Sequence, residues 1–329
     1  MRASVLSARD LQVRYPVRTG VSGRRGVFLR ALDGVSFELA PGEALGVVGE
    51  SGCGKSSLGR ASLLLTRPAA GRVFWRGEDV TLEDEKSLRA RRRHIQIVFQ
   101  DPLSSLNPRM TAGEIIAEPL RSFFPRRSDR DVDADVSEMM RRVGLLPNMK
   151  LRYPHEFSGG QCQRISIARA AILRPEALVL DEPVSALDVS VQAQIVNLLQ
   201  DLQAELGLSY LFISHDLSIV RYVCDRILVM YLGKVVETGP RESLFGEPRH
   251  PYTKALVGAI PVPDPERRRR AAVAPGAFGE LPSPLNPPAG CRFHTRCPFA
   301  SERCREEEPR PEPAGPGHEV ACHHWRDLV

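Results

Sequence analysis

The chain has 329 residues, of which 42% are hydrophobic and 26% charged, and its net charge at pH 7 is +5. That length suits about two domains, and no apolar run approaches the roughly 18 residues of a bilayer span, which argues against a helical membrane protein. The residues from Met1 to Asp10 lack an apolar signal core, so the expectation is a cytoplasmic protein whose membrane contact runs through partners. The one basic run, Arg267 to Arg270, sits in a Pro-rich stretch without interleaved aromatic residues. It reads as a solvated linker and not as a nucleic-acid surface.

From Asp10 to Ala40 short β-like runs alternate, with Val35, Phe37 and Leu39 on one face. A buried strand is expected over Ala44–Val48, then a glycine-rich turn and an apolar helix from Ser56 to Leu65. A second strand is expected over Ile95–Phe99. Between Asp101 and Phe157 the helix candidates are Gly113–Leu120 and Val136–Val143. A strict alternation follows: helix Gln161–Leu173, strand Leu178–Leu180, helix Val191–Leu206 and strand Tyr210–Ile213. This order argues for a largely parallel sheet flanked by helices. Past Pro251 the character shifts, and Pro261 to Gly290 reads as a linker or irregular extension. A domain boundary is therefore expected near His250, giving 1–250 and 251–329, with no internal repeat.

Gly49-Glu50-Ser51-Gly52-Cys53-Gly54-Lys55-Ser56 fits a phosphate-binding loop between strand and helix. Its glycines let backbone N–H groups curl around phosphate oxygens, and the helix N-terminus adds positive potential. Lys55 is expected on the β- and γ-phosphates, and the Ser56 hydroxyl on Mg²⁺. Asp181 ends a buried apolar strand, where a carboxylate is costly unless it meets a cation. Mg²⁺, through a bound water, is the expected cation, and the adjoining Glu182 is expected to polarise the attacking water. Cys53 is read as a bystander that lends only its amide.

Phe157-Ser158-Gly159-Gly160-Gln161-Cys162-Gln163-Arg164 opens a helix and makes a second anion site. This segment resembles the signature of the ABC ATPases, a family whose signature contacts the nucleotide held by the opposite subunit. The resemblance implies a P-loop NTPase (RecA-like) α/β core with an N-terminal antiparallel β-subdomain and an α-helical subdomain. It further implies that ATP joins two subunits head to tail. Ser158, Gly159, Gly160 and Gln161 would serve the partner's ATP, while the residues from Gly49 to Ser57, including Ser57 itself, would serve this chain's own. In the same way Gln100 resembles the Q-loop glutamine that senses Mg²⁺ and water. Ser185-Ala186-Leu187-Asp188 resembles the D-loop, His215 the switch histidine on the γ-phosphate, and Tyr15 the aromatic residue that stacks on adenine. Cys162 follows the phosphate-contacting segment and is not read as catalytic.

Gln100-Asp-Pro-Leu-Ser-Ser-Leu-Asn-Pro-Arg109 resembles the extended Q-loop of dipeptide, oligopeptide and nickel importer ATPases, where it meets the permease. Leu103 to Arg109 is accordingly expected to be an exposed coupling loop. His250-Pro-Tyr-Thr-Lys-Ala-Leu256 and Glu280-Leu-Pro-Ser-Pro-Leu-Asn-Pro-Pro288 resemble the C-terminal extension of the peptide importers, and the insertion between Tyr15 and Ala31 resembles their F-type subunit. The partners implied are a paralogous ATPase, two transmembrane permease subunits and, indirectly, an extracytoplasmic peptide-binding protein, with no nucleic acid. The location implied is the cytoplasmic face of the membrane. Import of nickel or another small solute is the alternative, and a soluble ABC protein acting on nucleic acid or ribosomes is the alternative of another class. The latter usually carries two cassettes or long coiled-coil insertions, and this chain has neither.

Cys291, Cys297, Cys304 and Cys322 crowd the last segment, separated by five, six and seventeen residues. Four soft thiolates suit Zn²⁺ or an iron–sulfur centre, and the spacing matches neither pattern closely. His294, His318, His323 and His324 are nearby substitutes that keep zinc open. The resemblance to peptide-importer ATPases implies a [4Fe–4S] cluster with a structural role.

Overall fold

A computed structural model describes residues 4–19, 24–260 and 282–328. The segment 261–281, which holds Arg267–Arg270 and most of the expected linker, lies outside the described residues.

In chain order the strands are β1 (Leu6–Thr19), β2 (Arg24–Leu39), β3 (Ala44–Val48), β4 (Ala70–Trp75), β5 (Glu78–Asp79), β6 (Ile95–Val98), β7 (Ala177–Asp181), β8 (Ser209–Ile213), β9 (Arg226–Tyr231), β10 (Lys234–Pro240), β11 (Glu312–Gly315) and β12 (His318–Val320). The α-helices are α1 (Lys55–Ser62), α2 (Glu85–Arg91), α3 (Pro102–Ser105), α4 (Ala112–Phe123), α5 (Asp129–Arg142), α6 (Gly159–Ala171), α7 (Val189–Leu206), α8 (Leu217–Val223), α9 (Arg241–Gly246), α10 (Pro251–Gly258) and α11 (Glu302–Glu306). The chain forms two compact units. One comprises Met1–Ser7, Glu38–Ala44 and Phe74–Ile213; the other comprises Ala8–Phe37, Leu45–Val73 and Ser214–Val329.

In the first unit β6, β7 and β8 run parallel, with Ile97 opposite Val179 and Val179 opposite Leu211. Leu178, Val179, Leu180, Leu211 and Phe212 are fully buried. Burial on both faces explains why these strands read as unbroken apolar runs. Each such large side chain contributes about 1.5–3 kcal/mol. The helical part packs α4 against both α5 and α6. Thr111 and Glu114 close a capping box that starts α4. Helix α5 begins seven residues before the expected Val136, because the Ser128 hydroxyl caps the Asp131 N–H (3.2 Å) and two aspartates occupy the first turn. Its mixed acidic and basic first half hid this start.

In the second unit β3 pairs parallel with β9, and β9 pairs antiparallel with β10. Val35, Phe37 and Leu39 on β2 are buried while Ser36 and Glu38 are exposed, the expected period of two. The C-terminal extension is more regular than its composition suggests. Strand β12 pairs antiparallel with β10, Glu237 opposite Val320 and Thr238 opposite Glu319, and β11 adds outside it.

A buried carboxylate fixes this addition. Glu237 accepts the N–H groups of Arg249 (2.7 Å) and His250 (2.9 Å), and it meets His318 Nε2 at 2.7 Å. Burial alone would raise its pKa, but the bonds from His318 and the two amides outweigh burial and hold it below the usual 4.5. Burial pushes the neighbouring His250 imidazole down from 6.5 to about 4, against the pull of Glu237. A depressed histidine contributes stability that is complete above 6.5 and lost as pH falls towards about 4. A depressed carboxylate acts in the same direction, losing its contribution as pH falls through its lowered value. Acidification from pH 7 to pH 4 is therefore expected to lower the thermal midpoint, with a loss on the order of a few kcal/mol. His250→Gln should flatten that profile between pH 6.5 and 4, as read by melting curves across the range.

Candidate active site

The phosphate loop belongs to the second unit and joins β3 to α1. Gly49 (φ 151°) and Gly54 (φ 108°), the residue before α1, both take left-handed backbone conformations. A Cβ on Gly49 would collide with the Met230 carbonyl oxygen, and one on Gly54 with that of Ala31. Buried Lys55 donates from Nζ to the carbonyls of Gly49 (2.7 Å) and Glu50 (3.1 Å). The Tyr15 hydroxyl donates to Ser57 Oγ at 3.3 Å, which ties β1 to the start of α1. Ser51 and Gly52 are exposed at the turn, and Cys53 is buried. Burial pushes the Cys53 thiol up, and the Lys55 charge only partly offsets this. Such a thiol is a poor nucleophile. His215 follows β8 and is exposed, beside Asp216, which caps α8 through the Ser218 N–H at 2.8 Å.

The first unit carries the remaining candidates. Asp181 ends β7 and is 1% exposed. Glu182 follows it at φ 48°, held there by its N–H donating to the Ile213 carbonyl (3.0 Å). A non-glycine residue in this region is uncommon, and such strain concentrates at functional sites. Gln100 Nε2 donates to Glu182 Oε2 at 3.0 Å, so the fold brings together two candidates 82 positions apart.

Ser158 caps α6. Its hydroxyl accepts the Gln161 N–H (3.3 Å), while Gln161 Oε1 accepts the Ser158 N–H (2.9 Å). Ser158 and Gly159 are exposed, with Leu187 beside the Cα of Gly159 and Val191 against Gly160. The turn Ser185–Asp188 thus borders the signature within one chain, and Asp188 is exposed. Cys162 is buried, donating to the Pro154 carbonyl at 3.4 Å.

The segment after Gln100 forms α3, capped by Asp101. Leu103 is 55% exposed there, whereas Leu106 is 2% exposed. The expectation of an exposed stretch from Leu103 to Arg109 is corrected at Leu106. Its side chain is drawn inward where α3 packs on α6, alongside the bond from Arg169 to the Ser105 carbonyl (2.7 Å).

Among the described residues, no group of three or more His, Cys, Asp or Glu side chains is gathered closely enough to hold a metal ion. Two of the four C-terminal cysteines are joined through the backbone, the Cys291 N–H donating to the Cys304 carbonyl at 2.8 Å. Burial pushes Cys291 up to about 12, and Cys304, Cys322 and Cys297 each add to the rise. Cys322 is pushed to about 11 by burial, with Cys297 and Cys304 adding. The histidines have other partners: His294 on the Cys291 carbonyl, His318 on Glu237, His323 on the Glu307 carbonyl and His324 on Ser301. Each of these bonds takes one ring nitrogen and leaves the second, so the thiolates and the imidazoles both belong to the donor set.

Three residues at this site were not anticipated. Arg296 reaches the Glu50 carboxylate, the Tyr252 hydroxyl accepts the Glu50 N–H, and Tyr231 lies under Arg296. Tyr252 and Arg296 fall within segments marked only by their family resemblance, and nothing local signals a contact across more than 200 residues.

Residues 32–185 match the family model for ABC transporters, and residues 236–304 match that for the C-terminal region of oligopeptide/dipeptide transporters. The oligopeptide transport ATP-binding protein OppF of Salmonella typhimurium is 53% identical over 98% of this chain and 96% of its own length. The chain belongs to the ABC transporter ATP-binding proteins. A further relative is the oligopeptide transport ATP-binding protein AppF of Bacillus subtilis, 50% identical over 97% of both chains. Among solved structures, the dimeric bacterial ABC transporter cassette MJ0796 aligns with TM-score 0.65 and 27% identity, covering 72% of this chain and 98% of its own. The same cassette, captured as a post-hydrolysis dimer with ADP and Pi, aligns with TM-score 0.64. The chain is thus an ABC-type ATPase with the P-loop NTPase fold. ATP is its substrate and Mg²⁺ the ion such ATPases require.

Placing a Cβ at Gly54 strains the loop by about 1–3 kcal/mol, so Gly54→Ala should weaken ATP binding roughly tenfold. Equilibrium titration with a fluorescent ATP analogue measures this, with far-UV circular dichroism as the control for folding.

Proposed function

We propose that this ATPase energises import of dipeptides and oligopeptides through a membrane permease, working from the cytoplasmic face. The observation that carries this reading is the near full-length identity to proteins named for oligopeptide transport, joined to a match with their C-terminal region. Dipeptide import fits the same reading, since the dipeptide transport ATP-binding protein DppF of Haemophilus influenzae is 49% identical over 97% of this chain. No helix among the described residues is long and apolar enough to cross a membrane, which agrees with a peripheral subunit docked on permease partners. We assign 1–250 to the nucleotide-binding domain and 251–329 to the peptide-importer extension.

In this mechanism the amides of the loop from Gly49 to Ser57, that of Glu50 apart, and the Lys55 ammonium bind the phosphates, and Tyr15 packs on adenine. Ser56, Gln100 and, through water, Asp181 would hold Mg²⁺, which neutralises charge on the β- and γ-phosphate oxygens. Glu182 orients the attacking water and takes up its proton. The bond from Gln100 to Glu182 and the strained Glu182 backbone support this pairing of roles. His215 holds the γ-phosphate. The exposed N-terminus of α6, with Ser158 to Gln161, serves the ATP of a paralogous subunit paired head to tail, and Asp188 borders that junction. The Ser158 oxygen already accepts an amide, so its O–H is left to donate to a phosphate. The permease, built of two transmembrane subunits, meets α3 around exposed Leu103, and a peptide-binding protein acts on the chain only through it.

Cys291, Cys297, Cys304 and Cys322 would hold a [4Fe–4S] cluster, which staples an extension too small for a core of its own. The bond from the Cys291 N–H to the Cys304 carbonyl (2.8 Å), which draws two of the four cysteines together, supports it.

In a strain lacking this chain, growth on peptides as sole nitrogen source should fail. The wild-type gene should restore growth and Glu182→Gln should not, while hydrolysis by the purified variant falls roughly 10²–10⁴-fold with ATP binding retained. Normal peptide uptake without the chain would overturn the transport reading. Protein purified without oxygen should contain about four irons per chain and lose them in Cys297→Ser. One zinc per chain and no iron would exclude the cluster.

A further inference from the structure

Glu50 is the residue of the phosphate loop on which the C-terminal extension closes, beside the ties of Tyr15 to Ser57 and of the Gly233 N–H to the Cys53 carbonyl. Its carboxylate forms a two-pronged ion pair with Arg296, Nη1 to Oε2 at 2.9 Å and Nη2 to Oε1 at 3.1 Å. Its N–H donates to the Tyr252 hydroxyl at 2.9 Å, and its carbonyl accepts from Lys55 Nζ. Every polar group of Glu50 is therefore engaged, two of the three by residues from the far end of the chain.

The Arg296 side chain is 9% exposed and that of Glu50 31%, so solvent screens the pair only in part. Arg296 is delivered by a short turn between Cys291 and Cys297, closed by the His294 N–H on the Cys291 carbonyl and the Arg296 N–H on the Phe293 carbonyl (both 3.0 Å). Phe293 at its centre is 1% exposed and packs edge-on against Tyr231 (5.3 Å) and tilted against Tyr252 (5.4 Å). Tyr231 and Tyr252 themselves meet at 4.8 Å, and the Arg296 guanidinium lies 5.7 Å over the Tyr231 ring. On the other side Arg292 pairs with Asp33 and donates to the Leu232 carbonyl. These contacts hold the turn so that Arg296 faces Glu50.

A carboxylate within a phosphate loop is an electrostatic liability, because it repels the anion the loop binds. The guanidinium offsets that repulsion and holds both carboxylate oxygens. Meanwhile the tyrosine hydroxyl sets the peptide plane whose carbonyl orients the Lys55 ammonium.

We propose that Arg296 and Tyr252 are positioning residues for nucleotide binding, through which the cysteine-bearing extension sets the affinity of the phosphate loop for ATP. This rests on the reading that residues Gly49 to Ser57 bind the nucleotide. It assigns the extension a part in the ATP site as well as in stability. By reciprocity, bound nucleotide strengthens the hold of the extension on the loop to the same degree.

The test uses the full chain and titration with ATP and ADP. Arg296→Gln should weaken ATP binding about tenfold, with a smaller effect on ADP, which carries less charge. Arg296→Lys should recover part of the loss, since it keeps the charge but not the fork. Combining Glu50→Gln with Arg296→Gln should recover most of it, because the repelling carboxylate is then gone. Tyr252→Phe, which leaves the ring packing in place, should also weaken ATP. ATP affinity within twofold of wild type in Arg296→Gln, or a double variant no better than Arg296→Gln alone, would overturn the proposal. Wild-type protein that binds neither nucleotide would instead overturn the assignment of the loop, and the proposal with it.

Discussion

The bonds from the Lys55 ammonium to the Gly49 and Glu50 carbonyls decide the shape of the candidate site. A buried cation at the start of a helix needs acceptors, and helix α1 has its free N–H groups at that end. The loop meets both demands by curling its own carbonyls towards Lys55 and turning amides other than that of Glu50 to an anion. That curl requires left-handed backbone at Gly49 and Gly54, with β9 and β2 close enough that a side chain at either position would strike a carbonyl. The neighbouring strands therefore restrict the loop's sequence as much as the ligand does.

The second unit is organised around this demand. Strand β9 runs beside β3, and Met230 and Tyr231 line the loop and the aromatic cluster below Arg296. The last residues of the chain return to the same place, with β12 on β10 and the turn of Cys291 to Cys297 against Tyr231 and Tyr252. Buried Glu237 joins the start of α10 to β12 through three hydrogen bonds, which offset the cost of placing a carboxylate there. The first unit meets a different demand. It presents Glu182 in a strained conformation beside Gln100 and leaves Ser158 and Gly159 exposed at the start of α6.

Two elements illustrate how far local signals reach. Strands β3 and β7 were legible because both faces are buried and the residues are uniformly apolar. Strands β9 and β10 were not anticipated, although Arg226–Tyr231 is as apolar as β7, because no motif drew attention to them. Leu106 was misjudged for a related reason. Its surroundings are polar and Pro-rich, but one face of α3 packs inward on α6. Periodicity over four residues cannot distinguish these cases.

The amino-acid sequence by itself determined the chemistry: a phosphate loop with its lysine and serine, an aspartate–glutamate pair after an apolar strand, and a second glycine-bearing helix start. These features depend on neighbours within a few residues, where backbone conformation and hydrogen bonding are local. It also determined that four thiols crowd one short segment. Only the tertiary structure decided that Gln100 meets Glu182, that the histidines near those thiols are engaged elsewhere, and that Arg296 reaches back 246 positions to Glu50. Such contacts follow from sheet order and aromatic packing, which bring distant segments together for reasons that no short stretch of the chain contains.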